Sequence, residues 1–266
     1  MNTLDIQVVD EQGFSLPGAQ VSMSLLESNG RIVKQAQTDD LGRVTVSHDA
    51  GLGVSVSVAK DGYYRSGFRL GYGDQAVTVE LRKIDAPIAM IAKKVKFLAQ
   101  GTKEGIGYDL FVGDYVKPYG QGKVSDLTLR IEYSESSFWD YEYRLSVEFS
   151  EANDGLLPFY IKNTHSEFQS AYHAPLRGYG SEWTFWRISK RGRASESNMD
   201  KGRNYYFRIR SVVDQQGKVV SGYYGKIYGE FPEITYYLNP NENDTNIEYS
   251  GKSLVNIDDS EMVEKL

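Results

Sequence analysis

The sequence predicts an all-β protein: a small seven-stranded β-sandwich followed by a larger β-sandwich, jelly-roll-like or immunoglobulin-like. Three observations predict it. Apolar and polar residues alternate with a period of two along most of the chain, as strands with one buried face require. Turn-forming residues break that alternation about every 8 to 12 positions in the amino-terminal third. The 266 residues include 20 Tyr, 11 Phe, 3 Trp and 26 Gly, a mixture that suits pleated, turn-punctuated structure.

The elements follow in order. Leu4, Ile6 and Val8 share one strand face, and Ala19, Val21, Met23 and Leu25 share the next. Asn29-Gly30 supplies the dipeptide that best tolerates a tight hairpin turn, and Ile32 to Ala36 return from it. The turn "TDDLGR" precedes Val44, Val46 and His48; Val54, Val56 and Val58 form another strand; after "KDGYY" come Phe68 with Leu70, then Val77, Val79 and Leu81. These seven strands define a first domain at residues 1–83.

Three motifs in that domain, "VVDEQGFSLPGAQV" (8–21), "TDDLGRVTV" (38–46) and "VAKDGYY" (58–64), give residues 3–82 a resemblance to the carboxypeptidase regulatory-like, or transthyretin-like, β-sandwich domain. In that family the Pro-Gly-Ala segment starts the second strand, Thr-Asp with a following Gly makes a turn, and Lys-x-Gly-Tyr closes a later one. Val46 departs from the aromatic residue that the family often carries there. The resemblance implies a non-catalytic accessory module common in exported bacterial proteins.

Asp85-Ala86-Pro87 interrupts the alternation and reads as a linker, since a proline biases its predecessor to extended backbone. Ile88 to Ala99 fits a short helix or a buried edge strand. The larger domain, 84–240, then resumes the period of two. Leu127, Leu129, Ile131 and Tyr133 face one way, as do Tyr141, Tyr143, Leu145, Val147 and Phe149 beyond "SESSFWD", which predicts a hairpin with one wet face. Trp183, Phe185 and Ile188 suggest a further strand. Asn204 to Phe231 resembles the last hairpin of a fibronectin type III module. Residues 241–266 read as a loosely packed acidic tail ending in a helical turn at 260–265.

Charge and composition exclude several function classes. The net charge is -6, yet from Asn239 onward seven acidic residues face only Lys252 and Lys265, so the body is near neutral. That argues against a nucleic-acid binder, which needs a strongly basic surface. With no cysteine there is no disulfide, thiolate metal site or cysteine nucleophile. No apolar run has the length of a membrane span.

The motifs that suggest chemistry are weaker than they look. "GYDLFVGDYVKPYGQGKVSDL" (107–127) invites a phosphate-loop reading, but a P-loop needs Gly-x-x-x-x-Gly-Lys-Ser/Thr. Lys117 stands at the first glycine of that pattern and Val124 at its hydroxyl; Gly251-Lys252-Ser253 has Asn246 where the first glycine belongs. Asp109, Asp114 and Asp126 lack the tight spacing of a calcium loop. "NPNENDTN" (239–246) is richer in oxygen, though Asn and Asp also build turns. His165 and His173 lie eight positions apart, matching no helical ligand pair, and no Gly-x-Ser-x-Gly elbow occurs. Residues 187–210 concentrate eight bases against Glu196 and Asp200, the material of either an anionic contact or a solvated loop.

Trp139, Trp183, Trp186, Tyr223 and Tyr224 form the candidate ligand-binding set, an aromatic platform whose flat rings could stack on sugars. No catalytic residue, metal or cofactor is assigned. The sequence thus points to a non-catalytic exported bacterial module, at the cell surface, outside the cell or in the periplasm. It would bind or build structure, with carbohydrate as the leading ligand class and a glycan or another surface protein as partner. A glycan-active hydrolase with carboxylates in the larger domain, and a purely architectural component of a surface assembly, are the alternatives.

Overall fold

A computed structural model describes residues 2–27, 30–48, 54–70, 76–97, 104–162 and 165–255. The Asn29 turn position, Leu98 and Ala99 at the end of the ambiguous segment, and the expected helical turn at 260–265 lie outside these residues. The described protein is all-β and divides into two compact units, Met1–Asp85 with Lys162–Gln169 and Leu266, and Ala86–Ile161 with Ser170–Lys265.

Unit 1 holds seven strands: β1 (Asn2–Asp10), β2 (Gln20–Glu27), β3 (Gly30–Gln37), β4 (Arg43–His48), β5 (Val54–Ala59), β6 (Ser66–Arg69) and β7 (Ala76–Leu81). They form two sheets, β4-β1-β7 and β3-β2-β5-β6. The alternating apolar positions meet in one core that includes Leu4, Ile6, Val8, Val21, Met23, Val56, Val58 and Leu81. Segment 162–169 falls within the larger domain in the sequence reading but belongs to this unit. Phe168 is fully buried, stacks on Tyr64 with ring centroids 5.0 Å apart, and has the Arg82 guanidinium 4.4 Å above its ring. A single aromatic anchor in a polar stretch gives no period, so alternation cannot reveal it.

Unit 2 contains two six-stranded sheets. The first, in the order β10-β9-β11-β12-β14-β15, uses β9 (Ile106–Asp109), β10 (Asp114–Tyr115), β11 (Leu127–Ser137), β12 (Asp140–Phe149), β14 (Glu182–Ser189) and β15 (Glu196–Ser197). The second, β13-β16-β17-β18-β8-β19, uses β8 (Ile88–Lys96), β13 (Gly155–Tyr160), β16 (Arg203–Val213), β17 (Val219–Tyr228), β18 (Glu233–Leu238) and β19 (Tyr249–Ser253). The ambiguous segment is therefore a strand, β8, and the hairpin across "SESSFWD" forms with Leu129 opposite Val147 and Leu145 opposite Ile131. Inward residues of both sheets build a single core, among them Leu129, Leu145, Phe185, Phe207, Ile227 and Tyr236.

The two sheets differ on their outer faces. β16 reads Tyr-Tyr-Phe-Arg-Ile without alternation because Tyr205 through Ile209 are all buried, as happens when a strand is covered on both sides. Segments 170–180 and 239–248 supply the second cover. Ala171 N–H donates to the Tyr206 hydroxyl at 3.1 Å, Arg208 Nη1 donates to the Leu176 carbonyl at 2.9 Å, and Ile247 N–H donates to the Tyr172 carbonyl at 2.8 Å.

Residues 241–255 thus do not form the loose tail expected from their charge. Ile247 and Tyr249 are buried, as is Glu248, whose carboxylate accepts the Ala86 N–H at 2.6 Å. The acidic count described solvent preference but missed these apolar anchors. Packing around β17 is tight: a Cβ on Gly225 would lie 2.3 Å from Phe207 Cζ and 2.4 Å from the Tyr237 carbonyl oxygen. Gly225→Ala should cost about 1–3 kcal/mol by overpacking, read as a lower urea midpoint with an unchanged slope.

Candidate functional site

The stretch 107–127 resolves into a structural clamp. Asp109 and Asp126 are buried, and both receive Arg210: Nε lies 2.7 Å from Asp126 Oδ1 and Nη2 lies 3.0 Å from Asp109 Oδ1. Asp109 also accepts backbone N–H groups of Phe111, Val112, Lys123 and Val124, and Asp126 accepts that of Leu110. Burial pushes the Asp109 carboxyl up, but these amides and Arg210 outweigh it and hold the group below its ordinary value. Asp126, with fewer donors, is raised by burial despite Arg210. Arg210 itself has φ 54, a left-handed backbone rare outside glycine, and its guanidinium lies 4.3 Å over the Phe111 ring. A Cβ on Gly122 would come within 2.8 Å of the Asp114 and Tyr115 carbonyl oxygens. The glycines therefore let backbone wrap two carboxylates rather than a phosphate.

The other chemical leads also fold into structure. In 239–246, Asn239 Oδ1 accepts the Asn241 N–H, Asp244 Oδ1 accepts the Asn246 N–H, and Asn239 Nδ2 donates to the Asn246 carbonyl, so these oxygens close turns. His173 Nδ1 pairs with Thr245 Oγ1 at 3.2 Å. Among the described residues no group of three or more His, Asp or Glu is placed to hold a metal ion, and no helix is long and apolar enough to cross a membrane.

The basic stretch is split by its pairings. Arg203 meets Glu230 at 3.7 Å, Arg208 binds carbonyls and faces the Tyr179 ring, Arg210 serves the clamp, and Lys190 meets Glu142 at 3.2 Å. Arg187, Arg191, Arg193 and Lys201 remain exposed.

The five platform aromatics do not come together. Tyr224 is buried, and Tyr223 packs edge-to-face on Phe111 at 4.9 Å. Both belong to β17 in the other sheet. Trp183 turns inward, its ring edge-on to Tyr205 at 5.5 Å and its Nε1 donating to the Gly180 carbonyl at 3.0 Å. Trp139 stands at the β11–β12 tip with Phe138; they are 58% and 75% exposed and edge-to-face at 4.9 Å. Trp186 lies on the outer face of the first sheet, because its neighbour Phe185 faces the core and successive side chains alternate.

On that outer face the strand register builds two rows. Glu132, Arg144 and Trp186 are side by side across β11, β12 and β14, and Ser134, Glu142 and Ile188 form the next row. Together with Tyr133 and Tyr143 they line an open groove of about 450 Å³. Its polar edges are half-extended ion pairs, with Arg144 Nε 3.9 Å from Glu132 and Lys190 Nζ 3.2 Å from Glu142. The Tyr143 hydroxyl is shielded, has no hydrogen-bond partner among the described residues, and is pushed up to about 12 by burial. An indole floor beside carboxylates, a guanidinium and the Ser134 hydroxyl can stack on an apolar ring face while pairing with hydroxyls at its rim. Sequence reasoning found Trp186 but not Glu132, Arg144 or Ile188. The predicted hairpin could have found Glu132 and Arg144, since its register aligns their outward positions, whereas Ile188 needs the register of β14 on β12.

No family model matches the chain, and no curated protein matches it. Among solved structures the chain is similar to the crystal structure of BcpA, the major pilin subunit of Bacillus cereus, with 12% sequence identity over 93% of this chain and 99% of that one. The TM-score is 0.22, too low for one backbone to stand for the other.

Proposed function

We propose that this protein is an exported, non-catalytic recognition module that binds carbohydrate on the outer face of β11, β12 and β14. One observation carries the reading: Trp186 lies in a groove whose rims are Glu132, Arg144 and Glu142. A sugar offers both an apolar C–H face and a fan of hydroxyls, and this arrangement answers both needs. The seven strands of unit 1 and its three motifs support a transthyretin-like spacer, in keeping with a bacterial surface or periplasmic setting. Glu132 and Glu142 are the carboxylates a hydrolase reading would nominate. They lie exposed and ion-paired on an open sheet rather than across a walled cleft, so binding is the better account.

A glycan array probed with wild type, Trp186→Ala, Trp139→Ala and Trp183→Ala tests the proposal. Wild type should bind a restricted set of glycans. Trp186→Ala should weaken that binding about tenfold, the equivalent of ~1.4 kcal/mol, with its melting temperature kept. Trp183→Ala should lower stability instead. An array silent for wild type would leave the architectural role ahead.

A further inference from the structure

The groove ends short of the hairpin tip. Beyond its second row, β11 and β12 run on to the Phe138-Trp139 tip, and this tip is braced. Asp140 Oδ1 accepts the Arg191 N–H at 3.0 Å, while Asp140 Oδ2 accepts the Ser137 hydroxyl at 2.9 Å. Those two donors hold the Asp140 carboxyl below its ordinary value. The brace fixes the 190–193 turn beside the tip, closed by the Arg193 N–H on the Lys190 carbonyl at 3.1 Å. Lys190 is committed to Glu142. Arg191 and Arg193 are exposed and have no carboxylate partner among the described residues. Trp186 is level with Arg144, and Trp139 lies five positions further along the same hairpin, roughly 16 Å at strand rise.

We infer that the site is an extended one for a linear acidic polysaccharide, with Trp186 and Trp139 as two stacking positions and Arg191 with Arg193 reading the negative charge. This rests on the carbohydrate reading of the groove. Two flat rings separated by a few sugar lengths favour a chain over a terminal residue. Unpaired guanidinium groups beside the outer ring favour carboxylate or sulfate over neutral sugars, because a planar fork pairs with either anion bidentately.

Calorimetry with oligogalacturonides, alginate oligomers and heparin fragments, each from dimer to octamer, beside neutral cello-oligosaccharides, tests it. Wild-type affinity should rise with length until both rings are occupied and should fall with salt. Trp139→Ala should keep dimer binding and lose about tenfold for the long oligomers. Arg191→Glu with Arg193→Glu should erase the preference for acidic chains. Binding that ignores length, is indifferent to Trp139, or is equal for neutral chains would overturn the inference while sparing a single-sugar groove at Trp186. No binding to any saccharide would remove both readings. Adsorption to anionic phosphatidylglycerol vesicles that is lost in Trp139→Ala would assign the tip to a bilayer and likewise overturn it.

Discussion

Replacing Arg210 with alanine should destabilise unit 2 by about 3–5 kcal/mol, the usual cost of removing one partner from a buried ion pair. The side chains of Asp109 and Asp126 are 2% and 0% exposed, so hydration cannot replace the lost cation for either carboxylate. The loss should depend on pH with a definite sign. At neutral pH both carboxylates in the variant are charged and buried without their cation. Protonation relieves that burden, so the deficit against wild type should shrink as pH falls toward 4.

In wild type the two groups pull in opposite directions. Asp126, raised by burial, binds its proton in the folded state before the unfolded chain does, and so favours folding as pH falls toward the unfolded value of about 3.9. Asp109 is lowered; its contribution is present above about 3.9 and disappears as pH drops through its folded value. Urea midpoints from pH 7 to pH 3 for wild type and Arg210→Ala check this. A deficit that is constant with pH would mean that Arg210 acts through packing on Phe111, not charge.

Phe231→Ala should cost a similar ~3–5 kcal/mol, the range for emptying a core aromatic site. Phe231 sits in the turn between β17 and β18, not on a strand, yet it is fully buried. Its ring stacks on Phe97 at 5.7 Å and Phe185 at 5.3 Å, and meets Tyr205 edge-on at 6.4 Å. Those partners come from both sheets, so the ring acts as a plug across the sandwich. Tyr205 donates to Glu230, whose carboxylate also accepts the Asp200 N–H at 2.9 Å, so the neighbours are tied and collapse into the cavity is restricted. Phe231→Leu should recover about half of the loss, because it keeps most of the buried area. Equal denaturant midpoints for wild type and Phe231→Ala would contradict the plug.

The sequence made the strands legible wherever one face is wet. β1 to β7 and the β11–β12 hairpin announce themselves through alternation such as Leu127, Leu129 and Ile131, and their turns are marked by Gly and Asp. It hid what lacks a period. Phe168 and Phe231 are single anchors in turns, Tyr249 belongs to a segment dominated by acids, and β8 carries Ile91, Ala92 and Val95 at spacings that suit a helix equally well. The candidate site was half visible. Trp186 could be nominated by type, but only register joins it to Arg144 and Glu132. The same register separates it from Tyr224, which composition alone had grouped with it. Arg210 shows the converse: a base counted within a positive stretch proves to be spent internally on two aspartates.

The closure of the second sheet also bears on the order in which the chain can be built. β8, the first strand of unit 2, pairs with β18 and β19, among the last, and Glu248 caps Ala86 across 162 residues of sequence. At a ribosomal output of about 5–20 residues per second, the apolar edge of β8 waits roughly 8–30 seconds for its partners. Unit 1 has all seven of its described strands in hand by then and waits only for segment 162–169. Synthesis therefore delivers a nearly complete leading sandwich and, behind it, an exposed strand whose ladder cannot form until residues 233–253 have been made, and that interval is when the protein most needs protection from its neighbours.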